Sequence, residues 1–401
     1  MAIKFAARMS RFQMSPSAAT SQRARELRAA GHDIIALSSG EPDFQTPDHV
    51  IEAAAQAARA GHTKYTTTSG TAEIKAAVIE KFKRDNGLSY KSDEIIICNG
   101  AKQVLFNAIM ATVEDGDEVI VGAPYWVAYG QMTQMAGGKT ITVPTTEDSG
   151  FKLQPADLAA AITPRTIWLM LNSPGNPSGA VYTAKELEAL AEVLRQHPHV
   201  NVMSDDIYEH ILFDGRTFAT LAQVAPDLKD RTLTINGASK AYAMTGWRIG
   251  YGGGPSELIR EMTKMQSQAT AGPSSVGQAA VVAALNGPQD FVVDRSKAFE
   301  HRRDLVLSML SQAPGITCAR PEGAFYLFPS CAGLIGKTTA SGKVIESDTD
   351  FVRYLMDEHG VATVQGEAYG LSPHFRISIA ASEEELVEAC QRIQKACAAL
   401  K

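Results

Sequence analysis

The sequence predicts an α/β protein with a large, doubly wound, mostly parallel sheet and a smaller α+β domain. From about residue 48 to residue 290, short β-branched apolar runs alternate with helical periods. Most of these runs end in Asn, Ser, Asp or Gly, the residue types that close a strand and open a turn. The chain has 401 residues, more than one hydrophobic core usually serves at about 150 residues per domain.

Taken in order, Ser21 to Ala30 reads as a helix closed by Gly31, and Ile34 to Leu37 as a short strand running into the turn Ser38-Ser39-Gly40-Glu41-Pro42-Asp43. Six runs follow that suit strands buried on both faces: Ile95 to Ile97, Val119 to Val121, Ile167 to Leu171, Val200 to Met203, Leu233 to Ile235 and Ile249 to Tyr251. Amphipathic helices lie between them. The best marked opens at Thr183, where Thr183 and Glu186 form a capping box and Leu187, Leu190 and Leu194 share a face. Beyond residue 300 helices mix with alternating strands such as Phe375 to Ala380. The expected division is a large domain over 46–300 and a small domain from 1–45 plus 301–401.

Composition removes whole classes of partner. With 38 Lys+Arg against 44 Asp+Glu, a net charge of −6 and no basic block, the chain has no footprint for nucleic acid or an anionic membrane. Its longest apolar run, Ala279 to Leu285, is far short of the roughly 18 residues a membrane helix needs. Met1 to Phe12 is punctuated by Lys4, Arg8 and Arg11 and has no apolar signal region, so a cytoplasmic location is expected. Five scattered cysteines without a C-x-x-C pair suggest neither a disulfide framework nor zinc. His197-Pro198-His199 reads as a turn, and no metal is expected.

In open α/β sheets ligands bind beyond the carboxyl ends of the strands. Four junctions there carry the polar residues. Asn99-Gly100-Ala101-Lys102 opens a helix through a glycine turn, a natural phosphate cradle that is also an ordinary tight turn. Asn172 to Gly179 packs Pro, Gly and Asn into one rigid loop. Ser204-Asp205-Asp206-Ile207-Tyr208 puts acids at a strand end, where a helix cap is the ordinary reading. Finally, Asn236-Gly237-Ala238-Ser239-Lys240 sets a lysine among small residues, where an amine can be desolvated and made nucleophilic. A nicotinamide dehydrogenase is disfavoured, because Gly250-Tyr251-Gly252-Gly253-Gly254-Pro255 lacks the last glycine of G-x-G-x-x-G.

Together these junctions resemble the class I, fold type I, pyridoxal-phosphate aminotransferases over nearly the whole chain. The densest match runs from Gly237-Ala238-Ser239-Lys240 through Ala243-Met244 to Gly246, Arg248, Ile249 and Gly250. The resemblance implies that Lys240 carries pyridoxal 5'-phosphate as a Schiff base and that Arg248 binds its phosphate, with Gly100, Ala101, Lys102 and Ser239 alongside. It implies that Asp205 faces the pyridine nitrogen, that Tyr208 and Asn176 bond the phenolic oxygen, and that Trp126 lies over the ring. Tyr65 looks like the tyrosine that reaches the phosphate from a partner subunit, which implies a homodimer with shared sites. Arg376, with Gly40 nearby, resembles the arginine that grips the substrate α-carboxylate.

Within the family the chain looks most like the bacterial aspartate aminotransferases that place a lysine in the side-chain pocket, here Lys102. The activity so implied moves the amino group of L-aspartate to 2-oxoglutarate. The alternatives are an aromatic or prephenate aminotransferase and a C–S β-lyase. Two departures stand out. Some relatives have serine as a phosphate ligand where this chain has Gly237. One subgroup that also acts on prephenate carries lysine before Pro-Ser-Ala-Thr, whereas this chain reads Ser15-Pro16-Ser17-Ala18-Ala19-Thr20, which argues against prephenate.

Overall fold

A computed structural model of the protein describes residues 3–401. Its strands are β1 (Ile35–Ala36), β2 (Ile95–Cys98), β3 (Glu118–Ala123), β4 (Lys139–Pro144), β5 (Thr166–Asn172), β6 (Asn201–Asp205), β7 (Thr232–Gly237), β8 (Gly250–Gly253), β9 (Tyr326–Leu327), β10 (Val361–Ala362), β11 (Val364–Gln365) and β12 (Phe375–Ser378). Seven of them form one sheet in the order β2-β8-β7-β6-β5-β3-β4.

The pairs β3–β4, β3–β5, β5–β6 and β6–β7 are parallel, and β8 runs antiparallel to both β2 and β7. The sheet is therefore mostly parallel, as expected, with one reversed strand. A parallel return needs a crossover, usually an α-helix. Residues 238–249 supply only the 3-10 turn Thr245–Trp247, so the chain doubles back. As a consequence β2, β3, β5, β6 and β7 all end at the same sheet edge, and β8 begins there. Every junction singled out from the sequence sits along that edge.

Alternation within a strand feeds both faces. Ile95 and Ile97 pack with Ile74, Phe82, Ala280 and Leu285 on one side. Their neighbours Ile96 and Cys98 pack with Val104, Leu105, Ile259 and Met262 on the other. The six apolar runs are all present as strands of this sheet. β4 had no counterpart among them, because Lys-Thr-Ile-Thr-Val-Pro is an edge strand with mostly uncovered side chains rather than an apolar run.

A second core joins Ile35 and Leu37 to residues from Phe299 to Leu400. There β11-β12-β9 form a three-stranded sheet and β1 pairs in parallel with β10. The first helix runs Pro16–Ala29, so it begins at Pro16 rather than Ser21. Proline at a first helical position, with Ser15 before it, is a favoured start. The helix after Thr183 keeps its predicted capping box and spans Ala184–Arg195. No described helix is long and apolar enough to cross a membrane.

Candidate active site

A cavity of about 480 Å³ opens at the shared strand edge, bounded on its other side by residues 15–25, 38–41, Tyr326 and Arg376. Asp205 is the last residue of β6 and is 4% exposed. Tyr129 Oη donates to its Oδ2 at 2.7 Å, and Asn172 Nδ2 at the end of β5 donates to its carbonyl at 2.7 Å. Its other carboxylate oxygen, Oδ1, is buried and has no hydrogen-bond partner. Burial raises the carboxyl to about 6, against the pull of the Tyr129 hydrogen bond, the Ile207 backbone and the Lys240 charge.

Asp206 turns away from the cavity. It is 1% exposed, accepts from Ser204 Oγ at 2.8 Å, and donates its backbone N–H to Ile235. Glu209, also on the far side, meets the fully buried Lys81 in an ion pair and takes Asn86 Nδ2 at 2.7 Å. The turn thus sends Asp205 and Tyr208 into the cavity and Asp206 and Glu209 behind it.

Lys240 follows β7 by three residues, and its Nζ donates to the Gly40 carbonyl at 2.6 Å. Burial, then the nearby Arg376 charge, lowers this ammonium to about 8, while Asp205 and Glu41 pull the other way. Tyr208 Oη is 2.8 Å from Tyr326 Oη. Arg376 on β12 is 2% exposed and packs 4.5 Å over the Tyr326 ring. Its Nη1 donates to Asn176 Oδ1 at 3.0 Å and its Nη2 to the Ser38 carbonyl at 2.6 Å, leaving Nε buried without a partner. Arg376 lines the cavity together with Gly40 and Asn176.

At the β2 end the Gly100 turn opens helix Ala101–Thr112 with φ of 82°, a left-handed value that suits glycine. A Cβ there would stand 2.6 Å from Arg248 Nη2, so this glycine also makes room for the guanidinium. Arg248 donates to the Thr245 carbonyl at 2.8 Å. Ala101, Lys102, Ser239 and Arg248 line one cavity. At Gly237 a Cβ would come within 3.1 Å of both Gly250 Cα and the Ile249 carbonyl, so a side chain there is crowded by backbone.

Trp126 meets Tyr129 edge to face at 5.5 Å, and Lys102 Nζ lies 4.8 Å from the Trp126 ring. Burial, then the Arg248 charge, lowers the Lys102 ammonium. Of the expected residues, Gly100 adjoins the cavity only through Ala101, and Tyr65 lies away from it. Tyr65 is set apart by its exposure. It is 98% exposed, in a separate open groove with Lys64 and residues 270–275.

The model of aminotransferase class I and II matches residues 32–393. The chain belongs to this family. A probable aspartate/prephenate aminotransferase of Rhizobium leguminosarum bv. phaseoli is 56% identical over 98% of each chain. An aspartate aminotransferase of Rhizobium meliloti is 55% identical over 98% of this chain and 96% of its own. The crystal structure of the Rhizobium meliloti aspartate aminotransferase superposes with a TM-score of 0.97 at 54% identity, covering 100% of both chains. A Thermus thermophilus aspartate aminotransferase solved with maleate gives 0.91 at 41%, covering 98% of this chain and 100% of its own.

The aminotransferase has the type I fold and uses pyridoxal phosphate. The residues fit that cofactor. Asp205 Oδ1 offers a buried, unpartnered acceptor for a protonated ring nitrogen, and Arg248 stands against Gly100 at the N-terminus of helix Ala101–Thr112, which has no side-chain cap. Sequence reasoning missed Tyr129, Asn172 and Tyr326. Asn172 shows in the sequence only as the start of the rigid loop after β5, and Tyr129 leaves a trace three residues after Trp126, as an aromatic whose hydroxyl must find a partner once buried.

Proposed function

We propose that this aminotransferase moves the amino group of L-aspartate to 2-oxoglutarate, giving oxaloacetate and L-glutamate. One observation carries the reading: a single cavity holds Arg376, with an unpartnered Nε for one carboxylate, and Lys102, a second cation for another. Maleate in the Thermus thermophilus relative is likewise a dicarboxylate.

In this reading Lys240, Asp205, Tyr208, Asn176, Trp126, Ser239, Arg248 and the Gly100–Lys102 turn hold the cofactor. When bound it supplies an electron sink for bonds at the substrate α-carbon. Asp205, kept ionised by a cationic partner, holds a proton on the ring nitrogen. Arg376 fixes the α-carboxylate with its planar fork. Once the substrate amino group has displaced it from the cofactor, the freed Lys240 Nζ, with proton affinity already reduced, would take the α-proton as general base and return it as general acid.

A cytoplasmic homodimer is part of the proposal, with Tyr65 of a second copy reaching the phosphate. Its 98% exposure supports this, and five free thiols suit a reducing compartment. We also take 46–300 as the cofactor-binding domain and 1–45 plus 301–401 as the smaller one, a division supported by the packing of Ile35 and Leu37 with residues from Phe299 onward, in a core that Ile207, Tyr208, Ile211 and Phe213 of the larger domain also enter.

A second reading, with prephenate as acceptor, is favoured by relatives called aspartate/prephenate aminotransferases at 56% and 54% identity. Ser15 argues against it. A panel of donors with 2-oxoglutarate, and of acceptors including prephenate with aspartate, tests both. Aspartate with 2-oxoglutarate should give the highest kcat/KM, and a monocarboxylic donor ahead of aspartate would overturn the proposal.

A further inference from the structure

Helix Pro16–Ala29 lays one stripe along the cavity. Ser17, Ser21 and Arg25 recur every four residues, so they share a face, and all three line the cavity. Ser17 Oγ is 3.2 Å from Tyr369 Oη and Ser21 Oγ is 3.1 Å from Ser38 Oγ. Both partners touch Arg376: its guanidinium lies 5.4 Å from the Tyr369 ring, and its Nη2 bonds the Ser38 carbonyl. The stripe is thereby fixed against the α-carboxylate end of the site. Arg25, one turn past Ser21, enters from a wall different from the helix Ala101–Thr112 that carries Lys102.

An exposed arginine on a helix is ordinarily paired or merely solvated. Arg25 donates to the neutral Gln22 Oε1 at 2.8 Å, and no carboxylate pairs with it among the described residues. The same holds for Lys102, Lys240, Arg248 and Arg376. Five cationic side chains line one cavity without an ion pair, and the lining carboxylates are two, Asp205 and Glu41. Phosphate and α-carboxylate account for Arg248 and Arg376, and Lys240 holds the cofactor. Two cations remain for one distal carboxylate.

We propose that Arg25 is a specificity residue that shares the distal carboxylate of dicarboxylic substrates with Lys102. The inference rests on the dicarboxylate reading above. A guanidinium offers two parallel N–H donors to one carboxylate, a recognition that an ammonium cannot duplicate. Because Arg25 is exposed, solvent and salt weaken the contact, so its effect is smaller than that of a buried pair.

The test compares wild-type holoenzyme with Arg25→Gln, Arg25→Lys and Lys102→Gln, cofactor loading being checked by absorbance. Aspartate and 2-oxoglutarate are set against alanine and pyruvate. Arg25→Gln should raise KM for both dicarboxylates about 5- to 20-fold with kcat within about twofold, leave the monocarboxylates unchanged, and be partly rescued by Arg25→Lys. An equal rise for alanine and pyruvate, or no rise at all, would overturn the proposal. If wild type shows no preference for aspartate over alanine, the dicarboxylate reading itself fails. If that preference survives Arg25→Gln but not Lys102→Gln, only the assignment of Arg25 fails.

Discussion

Tyr129 and Asp205 divide one buried carboxylate: the tyrosine hydroxyl donates to Oδ2 at 2.7 Å, and Oδ1 is left without a partner inside the protein. A carboxylate so placed is costly to ionise until a cation faces it. That is the arrangement expected for an acid that must keep a heterocyclic nitrogen protonated, and it has consequences for stability, rate and pH.

For the cofactor-free protein the sign is fixed by burial. Asp205 has a folded value raised to about 6 from the ordinary 3.8, so between those pH values the folded state binds more protons than the unfolded state. Its contribution therefore falls as pH rises through that window, by about 3 kcal/mol in total. Cofactor-free wild type should lose stability between pH 4 and 7 relative to cofactor-free Asp205→Asn, and urea unfolding of both across that range measures it. Parallel curves would show that this carboxyl does not titrate in the window.

The two adjacent acids should separate cleanly in the loaded enzyme. Asp205→Asn is expected to reduce kcat at least a thousandfold, equivalent to about 4 kcal/mol of barrier. Asp206→Asn, which changes a side chain bonded to Ser204 behind the site, should cost less than tenfold. Single-turnover rates with aspartate distinguish them, and a larger loss at Asp206 would reverse the register of the turn.

Behind that turn, Lys81 is fully buried against Glu209 and bonds Asn86 Oδ1 at 2.7 Å. Removing one partner leaves an uncompensated buried charge, so Lys81→Met should destabilise the protein by about 3 to 5 kcal/mol. Lys81→Met combined with Glu209→Leu should recover most of this loss. Denaturant midpoints of the three proteins decide the matter; a double variant as unstable as the single one would mean that packing, not charge, holds the turn.

Much of this is legible in the sequence. Runs such as Ile95 to Ile97 and Leu233 to Ile235 are buried on both faces, so their apolar character survives in one dimension. Lys240 and Arg248 stand in a dense local pattern, and Asp205 and Tyr208 are three residues apart. What escaped detection is tertiary. β4 is an edge strand without an apolar run, and the reversal of β8 follows from a connection too short to hold a crossover helix. Tyr129, Asn172, Tyr326 and Arg25 gain their meaning from partners between 33 and 118 residues away or from a wall built by a distant helix. No local spacing encodes such contacts.

The central claim is that Lys240 carries the cofactor and that aspartate and 2-oxoglutarate exchange an amino group through it. The most direct measurement is the half-reaction of purified holoenzyme, followed by cofactor absorbance and product analysis. Aspartate alone should convert the lysine-bound absorbance to that of the amine form with one equivalent of oxaloacetate per site, and 2-oxoglutarate should restore it with one equivalent of glutamate; Lys240→Ala should show neither turnover nor the starting absorbance. An unchanged spectrum with aspartate, conversion by monocarboxylic donors only, or borohydride fixing the cofactor to another lysine would contradict the account.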